Sequence, residues 1–173
     1  MRTFIQLDVQ NLFLSAKNIG KKIDFNKIKE HFYSRKDETI VDMVAYTARS
    51  NEPSSKGYNF ENLLKSLGYT LSSKIATVVT RSDGKKFYKG TDQDMSICVD
   101  CMKRIDEFDK WVLMSGDGDF IDLCDHLKTN NKTVEIWSLP GLSFNKKLCD
   151  YADSVHFLNE NFFYYEKSKE EKK

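Results

Sequence analysis

The chain has 173 residues, 40% of them hydrophobic, 31% charged and 13% aromatic, which is room for one ordinary domain with its own core and too little for a repeat array or a multidomain enzyme. Lys and Arg number 27 against 26 Asp and Glu, a net charge of +1, so bulk charge does not announce a polyanion binder and any such surface must come from local clustering. No segment approaches the about 18 consecutive apolar residues of a membrane span, and the apolar run near Met1 is too short for a signal peptide, so a cytoplasmic protein with no membrane attachment is expected.

Residues 4–7 read as a short buried strand ending at Asp8, and a helix runs from Asn11 towards Gly20. A second helix covers 25–33. Residues 39–47 are β-rich, 52–57 form a polar loop, and a helix over 58–67 stops at Gly68. A third strand is expected over 74–80, then a basic loop turning at Ser82-Asp83-Gly84, then a helix from Asp92 onward. On that helix Met95, Cys98, Cys101, Met102 and Ile105 recur at helical spacing as an apolar stripe. Residues 111–115 form a fourth strand, 120–128 a helix, 133–137 a fifth strand, 143–151 a helix and 154–158 a last short strand.

Such alternation implies a mostly parallel central sheet with helices on both faces and right-handed crossovers, a Rossmann-like three-layer α/β/α domain over 1–160. Residues 161–173 read as a tail: aromatic at first, with Phe162, Phe163, Tyr164 and Tyr165, then charged and without anything to bury. The four cysteines include the C-x-x-C pair Cys98 and Cys101. That pair lies along the apolar stripe and no second pair completes a tetrahedron, so the cysteines are expected to be core thiols rather than zinc ligands or disulfides.

Open parallel sheets bind ligands at the carboxyl ends of their strands. Asp8 ends the first strand, Asp117 and Asp119 follow the fourth, and Asp92 stands where the basic loop becomes a helix. With strand order 3-2-1-4-5, Asp8 faces Asp117. Asp92 or Asp119 alone reads equally well as a helix cap, but four carboxylates at one edge repel unless a cation intervenes. Oxygen donors without His or Cys favour Mg²⁺ or Mn²⁺. Asp94 and Asp122 are expected to be first-turn residues favoured by the helix dipole, and Asp83 belongs to a turn. Arg49 after the second strand, and Arg81, Lys85, Lys86 and Lys89 after the third, supply a basic rim for a phosphodiester. Tyr46 and Tyr88 are placed either to stack on a base or to pack on the domain. An acidic metal centre among basic loops suits in-line hydrolysis.

Leu7-Asp8-Val9-Gln10-Asn11-Leu12, Lys89-Gly90-Thr91-Asp92 and Met114-Ser115-Gly116-Asp117-Gly118-Asp119-Phe120, in that order, resemble the NYN domain family, particularly its LabA-like branch. Val134-Glu135-Ile136, Pro140-Gly141, Ser143 and Ala152-Asp153 extend the resemblance. It implies a PIN-like nuclease fold and metal-dependent ribonuclease activity, with Asp8, Asp92 and Asp117 as Mg²⁺ or Mn²⁺ ligands. Asp119 becomes a further ligand or a holder of metal-bound water. Asn11 then orients Asp8 or contacts substrate, and Ser115 aims a carboxylate or a phosphate. Val9-Gln10 departs from the family's usual Gly followed by a small or acidic residue, and Asp94 is often uncharged there.

The expected function is hydrolysis of RNA phosphodiester bonds, single-stranded or structured and cut endonucleolytically, with Asn11, Arg49, Lys85, Lys86, Lys89 and Ser115 on the substrate. The alternative is a non-catalytic RNA-binding or regulatory module of the same fold; assembly as a homodimer is left open. A haloacid-dehalogenase-like phosphatase needs a second Asp where Gln10 stands. His31, His126 and His156 form no catalytic grouping, and neither a Gly-x-x-x-x-Gly-Lys nor a Gly-x-Gly-x-x-Gly sequence is present where a nucleotide site requires it.

Overall fold

The structure is a computed structural model and describes residues 1–51, 55–141 and 143–164; part of the expected polar loop (52–54) and the charged tail from 165 onward lie outside the described residues. The strands β1 (Arg2–Asp8), β6 (Lys110–Met114) and β7 (Thr133–Ser138) are buried almost throughout, so they carry apolar side chains on both faces and read as continuous runs rather than alternations. They form the middle of a six-stranded sheet with β2 (Thr39–Arg49), β3 (Thr70–Ile75) and β8 (Ser154–Phe157), in the order β3-β2-β1-β6-β7-β8 and parallel throughout. This is the expected arrangement, with the last short strand added at the far edge.

Helices α1 (Val9–Asn18), α2 (Phe25–Tyr33) and α3 (Lys56–Ser66) cover one face over a core that includes Leu7, Leu12, Ile28, Phe32, Leu64 and Trp137. On the other face α4 (Asp94–Lys103), α5 (Ile121–Thr129) and α6 (Leu148–Tyr151) pack over Phe4, Ile97, Cys101, Trp111, Leu127 and Leu148. A buried polar chain keys α4 to this face. Trp111 Nε1 donates to Gln6 Oε1 at 2.7 Å, Gln6 Nε2 donates to the Tyr46 hydroxyl and to the Ile97 carbonyl, and Tyr46 donates to Asp100. Buried polar groups are tolerable only when partnered in this way. Tyr46 is consequently a core residue and does not offer its ring to a base.

Three local expectations are corrected. The stretch expected as one strand over 74–80 breaks at Ala76, whose amide bonds the Arg49 carbonyl and closes β3. Residues beyond it leave the sheet as β4 (Thr77–Thr80) and pair antiparallel with β5 (Lys86–Lys89) around the Ser82-Asp83-Gly84 turn, where Gly84 takes φ +79°. The basic loop is thus a two-stranded ribbon. The helix expected over 143–151 shortens to α6 because Asn145 gives its amide to the Gly116 carbonyl instead of to a helix. On α4 the buried line is Gln93, Ile97 and Cys101, leaving Met95 and Met102 exposed. Among the cysteines, all free, Cys101 and Cys124 are core thiols and Cys98 is half-buried, while Cys149 is exposed because its short helix presents only Leu148 inward.

The aromatic segment near the end packs at home as far as Phe163. Phe162 and Phe163 are buried, Phe163 bridges to Ile23, and the Tyr164 amide bonds the Lys22 carbonyl. No helix among the described residues is long and apolar enough to cross a membrane.

Towards the amino ends of the strands lies a closed ion network. Glu135 on β7 accepts from Arg35 at 2.7 Å and Lys110 at 2.6 Å, and Lys110 also reaches Glu38 at 2.8 Å. Burial pushes the Glu135 carboxyl up, but Arg35, Lys110 and the Trp137 indole N–H hold it down at about 2. Its stabilising contribution is complete above the unfolded value of 4.5 and is lost as pH falls through about 2. Glu135→Gln strands Lys110 in a partly uncompensated pocket and is expected to cost about 3 kcal/mol at neutral pH. Urea unfolding of the two proteins checks this; the gap narrows as pH drops below 4.5, and a constant gap refutes the assignment.

Candidate active site

Asp8 closes β1 and caps α1. One carboxylate oxygen accepts the Asn11 amide at 3.0 Å, and the other accepts the Ser115 hydroxyl at 3.0 Å. Ser115 follows β6, is fully buried, and accepts the Asp117 amide on the same hydroxyl oxygen at 3.2 Å. Asn11 Oδ1 accepts the Gly116 amide at 3.1 Å, so the start of α1 and the loop after β6 are tied together across the β1–β6 seam. The loop fits only without side chains at two places. A Cβ on Gly116 would stand 2.5 Å from Ser138 Oγ, and one on Gly118 would stand 1.9 Å from Asn145 Nδ2. Asp117 accepts the Asp119 amide at 3.0 Å and thereby opens the 3₁₀ turn Gly118–Phe120.

The third contribution comes from the approach to α4. Asp92 accepts the Asp94 amide at 2.9 Å, and its carbonyl accepts Lys74 Nζ at 2.6 Å. Between the two aspartates, Gln93 is buried and its amide donates to the Thr47 carbonyl at the end of β2 and to the Ser72 carbonyl of β3. Gln93 Oε1 has no partner among the described residues. This anchoring holds a carboxylate on each side of Gln93 at the carboxyl edge of the sheet.

Four aspartates share the resulting field. Burial pushes the Asp8 carboxyl up, the Asn11 and Ser115 hydrogen bonds draw it back, and Asp117 and Asp92 push it up again, for a net rise. Asp94 is raised to about 7, first by burial and then by Asp92, Asp8 and Asp117. Asp92 and Asp117 thus lie within electrostatic reach of both Asp8 and Asp94, while Asp119 is exposed at the rim and is not among the larger influences on either carboxyl. Asp94, expected to serve only the helix dipole, belongs to the cluster; the signal for it is the Asp-x-Asp spacing from Asp92. Asn11 and Ser115 serve the carboxylates, orienting Asp8 and the Asp117 backbone.

The cations divide into two groups. Arg49 stands at the expected edge, but its guanidinium donates to Glu61 at 2.7 Å and to the Ser50 carbonyl, and lies over the Tyr58 ring. Glu61 also accepts from Thr47 and Ser73, so Arg49 is committed to fastening β2 and β3 to α3. Lys85 and Lys89 are exposed on the ribbon beside Arg81. The side chains of Lys86 and Tyr88 lie outside the described residues.

Donor chemistry at the cluster suits a hard divalent ion: oxygen only, with excess negative charge that burial leaves uncompensated. Among the described residues no three Asp, Glu, His or Cys side chains form a group able to hold a metal ion in this conformation. Ions of the Mg²⁺ kind keep several waters and require few direct protein oxygens, so the donor set fits such an ion at one or two carboxylates.

A parallel α/β sheet with helices on both faces defines a Rossmann-like domain, here with acidic groups at its carboxyl edge. The NYN domain model matches residues 2–159, and the chain belongs to the NYN domain family. NYN domains are PIN-like nuclease domains. The chain is 26% identical over 168 residues to the low amplitude and bright protein LabA of Synechococcus elongatus, covering 96% of this chain and 89% of that one. It also resembles VPA0982 of Vibrio parahaemolyticus, a protein of unknown function known from its crystal structure, with TM-score 0.76 and 26% identity over 94% of this chain and 96% of that one. Neither name states a chemistry.

Because the folded chain binds the Asp94 proton more tightly than the unfolded one, the contribution of Asp94 to the stability of metal-free protein is complete below the unfolded value of 3.8 and is lost as pH rises towards about 7. Asp94→Asn removes the repulsion and is expected to raise the melting temperature in EDTA, more at pH 8 than at pH 5. A variant that melts lower than wild type at pH 8 removes Asp94 from the cluster.

Proposed function

We propose that this protein is a divalent-metal-dependent ribonuclease that hydrolyses RNA phosphodiester bonds internally. The observation that carries the reading is the convergence of Asp8, Asp92, Asp94 and Asp117, from three separate elements, on one edge of the sheet with two of their carboxyls pushed upward. Membership of a nuclease-like family supports it. Asp8, Asp92 and Asp117 are the residues from which one or two would bind Mg²⁺ or Mn²⁺ directly and the others through ion-bound water, a role also assigned to Asp119. Such an ion supplies water activation and neutralises charge on the departing oxygen. Ser115 and Asn11 keep Asp8 aimed, and Lys85, Lys86 and Lys89 draw in the RNA backbone.

A second reading, an RNA-binding or regulatory module without turnover, is favoured by one observation: no group of three candidate ligands among the described residues is arranged to hold an ion. End-labelled single-stranded and hairpin RNAs incubated with wild type, Asp8→Asn and Asp117→Asn in Mg²⁺, Mn²⁺ or EDTA separate the two. Internal cleavage by wild type with metal, reduced at least 100-fold in either variant and absent in EDTA, is the expected result. RNA retained without product in Mn²⁺ selects the binding module, and cleavage by Asp117→Asn at the wild-type rate removes Asp117 from the centre.

A further inference from the structure

Of the five arginines in the chain, four are held by carboxylates: Arg2 by Asp109, Arg35 by Glu135 and Glu38, Arg49 by Glu61, and Arg104 by Asp42 and Glu107. Arg81 has no carboxylate partner among the described residues. It stands on the β4–β5 ribbon, a two-stranded sheet separate from the central one. In a chain of net charge +1, the ribbon and its turn carry Arg81, Lys85, Lys86 and Lys89 against the single carboxylate Asp83, and Lys85 approaches that one only at 3.8 Å with 83% of its side chain exposed.

The pairing places these groups with some order. Thr77 lies opposite Lys89 and Val79 opposite Phe87, and the Arg81 amide bonds the Lys85 carbonyl, so strand alternation puts Arg81, Lys85, Phe87 and Lys89 on one face. The Arg81 guanidinium lies 5.0 Å from the centre of the Phe87 ring and Lys89 Nζ lies 5.6 Å from it. Cation–π attraction holds both charges on a shared apolar seat, and the ring is thereby taken by cations rather than left open for a base. What the face presents outward is a row of positive charge, the complement of a phosphodiester backbone.

Its roots give the row a direction. The ribbon leaves the sheet at Ala76, directly after β3, and returns through Gly90, at φ +74°, and Thr91 into Asp92. Lys89, at the root, is three residues from an aspartate of the cluster, and Arg81 and Lys85 lie towards the turn. We infer that the β4–β5 ribbon is a binding arm that grips the backbone of an RNA strand without regard to base and leads it to the acidic edge. The choice of RNA as partner rests on the proposed function; the arm's charge and placement do not.

The test measures binding separately from cleavage. Anisotropy of labelled oligo(A) and oligo(U) is titrated with metal-free Asp117→Asn protein, with and without Arg81→Gln, Lys85→Gln and Lys89→Gln, across a range of salt. Loss of three phosphate contacts is expected to weaken both oligomers alike, by roughly tenfold or more at low salt, and to flatten the slope of log K against log salt by about 2. The melting temperature is expected to stay put, since none of the three side chains is in the core. Unchanged affinity and slope, a loss confined to one base, or no RNA binding by the parent protein overturns the inference. If wild type cleaves no RNA yet the arm variant loses binding in this way, the arm stands and the nuclease reading falls. Cleavage by wild type together with unaltered binding by the arm variant leaves the nuclease reading standing and overturns the arm.

Discussion

A single buried carboxylate organises the molecule's functional edge. Asp8 is held at the seam of the two central strands by the Asn11 amide from its own helix and the Ser115 hydroxyl from the neighbouring strand end. Those two bonds satisfy the oxygens well enough to keep the group in the fold, but not well enough to cancel the cost of burial. The remainder of the edge follows from this. Asn11 and Ser115 also seat the Gly116–Asp117 backbone, so the position of Asp117 depends on the same pair of residues that holds Asp8. Anything that loosens the seam moves two carboxylates at once.

The two ends of the sheet treat charge in opposite ways. Towards the amino ends, Glu135 and Glu38 are matched by Arg35 and Lys110, and their carboxyls are held below the ordinary range. At the carboxyl end, among the described residues, no cation forms an ion pair with the gathered carboxylates, Lys74 reaching only the Asp92 carbonyl, and Asp8 and Asp94 are pushed upward. A satisfied network at one end can offset strain stored at the other, which is the pattern expected when a stable scaffold carries a site built for something else to bind. Carboxylates left in mutual repulsion within a buried edge are costly to the empty protein and gain by taking up a cation.

Apart from Lys74, whose ammonium is bonded to the Asp92 carbonyl, the cations named near this floor are tied up or set on the ribbon. Arg49, the nearest guanidinium by strand position, is consumed by Glu61 and holds the ends of β2 and β3 to α3. Positive charge without a close carboxylate is displaced onto the ribbon, joined to the acidic edge by the short link from Gly90 to Asp92. Separation of this kind lets a polyanion be attracted by one element without quenching the negative field of another.

The order of strands and helices, and three of the four gathered aspartates, were legible from the residues themselves, because apolar periodicity is set by local geometry and strand ends are marked by where the apolar run stops. Asp8, Asp92 and Asp117 each stand at such a boundary, and the parallel order brings the boundaries to one edge. The positions that escaped are those whose role depends on contacts between distant segments. Asp94 has the same local setting as any acidic residue opening a helix; only the docking of α4 through Gln93 and the Gln6–Tyr46 chain brings it into the field of Asp8. Arg49 and the ribbon's cations are alike as side chains, and the difference between them is the presence of Glu61 across the fold. Likewise, residues 77–80 have the β-rich composition of a sheet strand, yet β3 already ends at Ala76 and leaves them only β5 to pair with. The sequence by itself therefore determined the order of the main elements and the strand ends at which Asp8 and Asp117 stand, since both are properties of short segments. Tertiary structure alone decided which charges there are neutralised and which remain free, since that depends on partners that lie far apart in the chain.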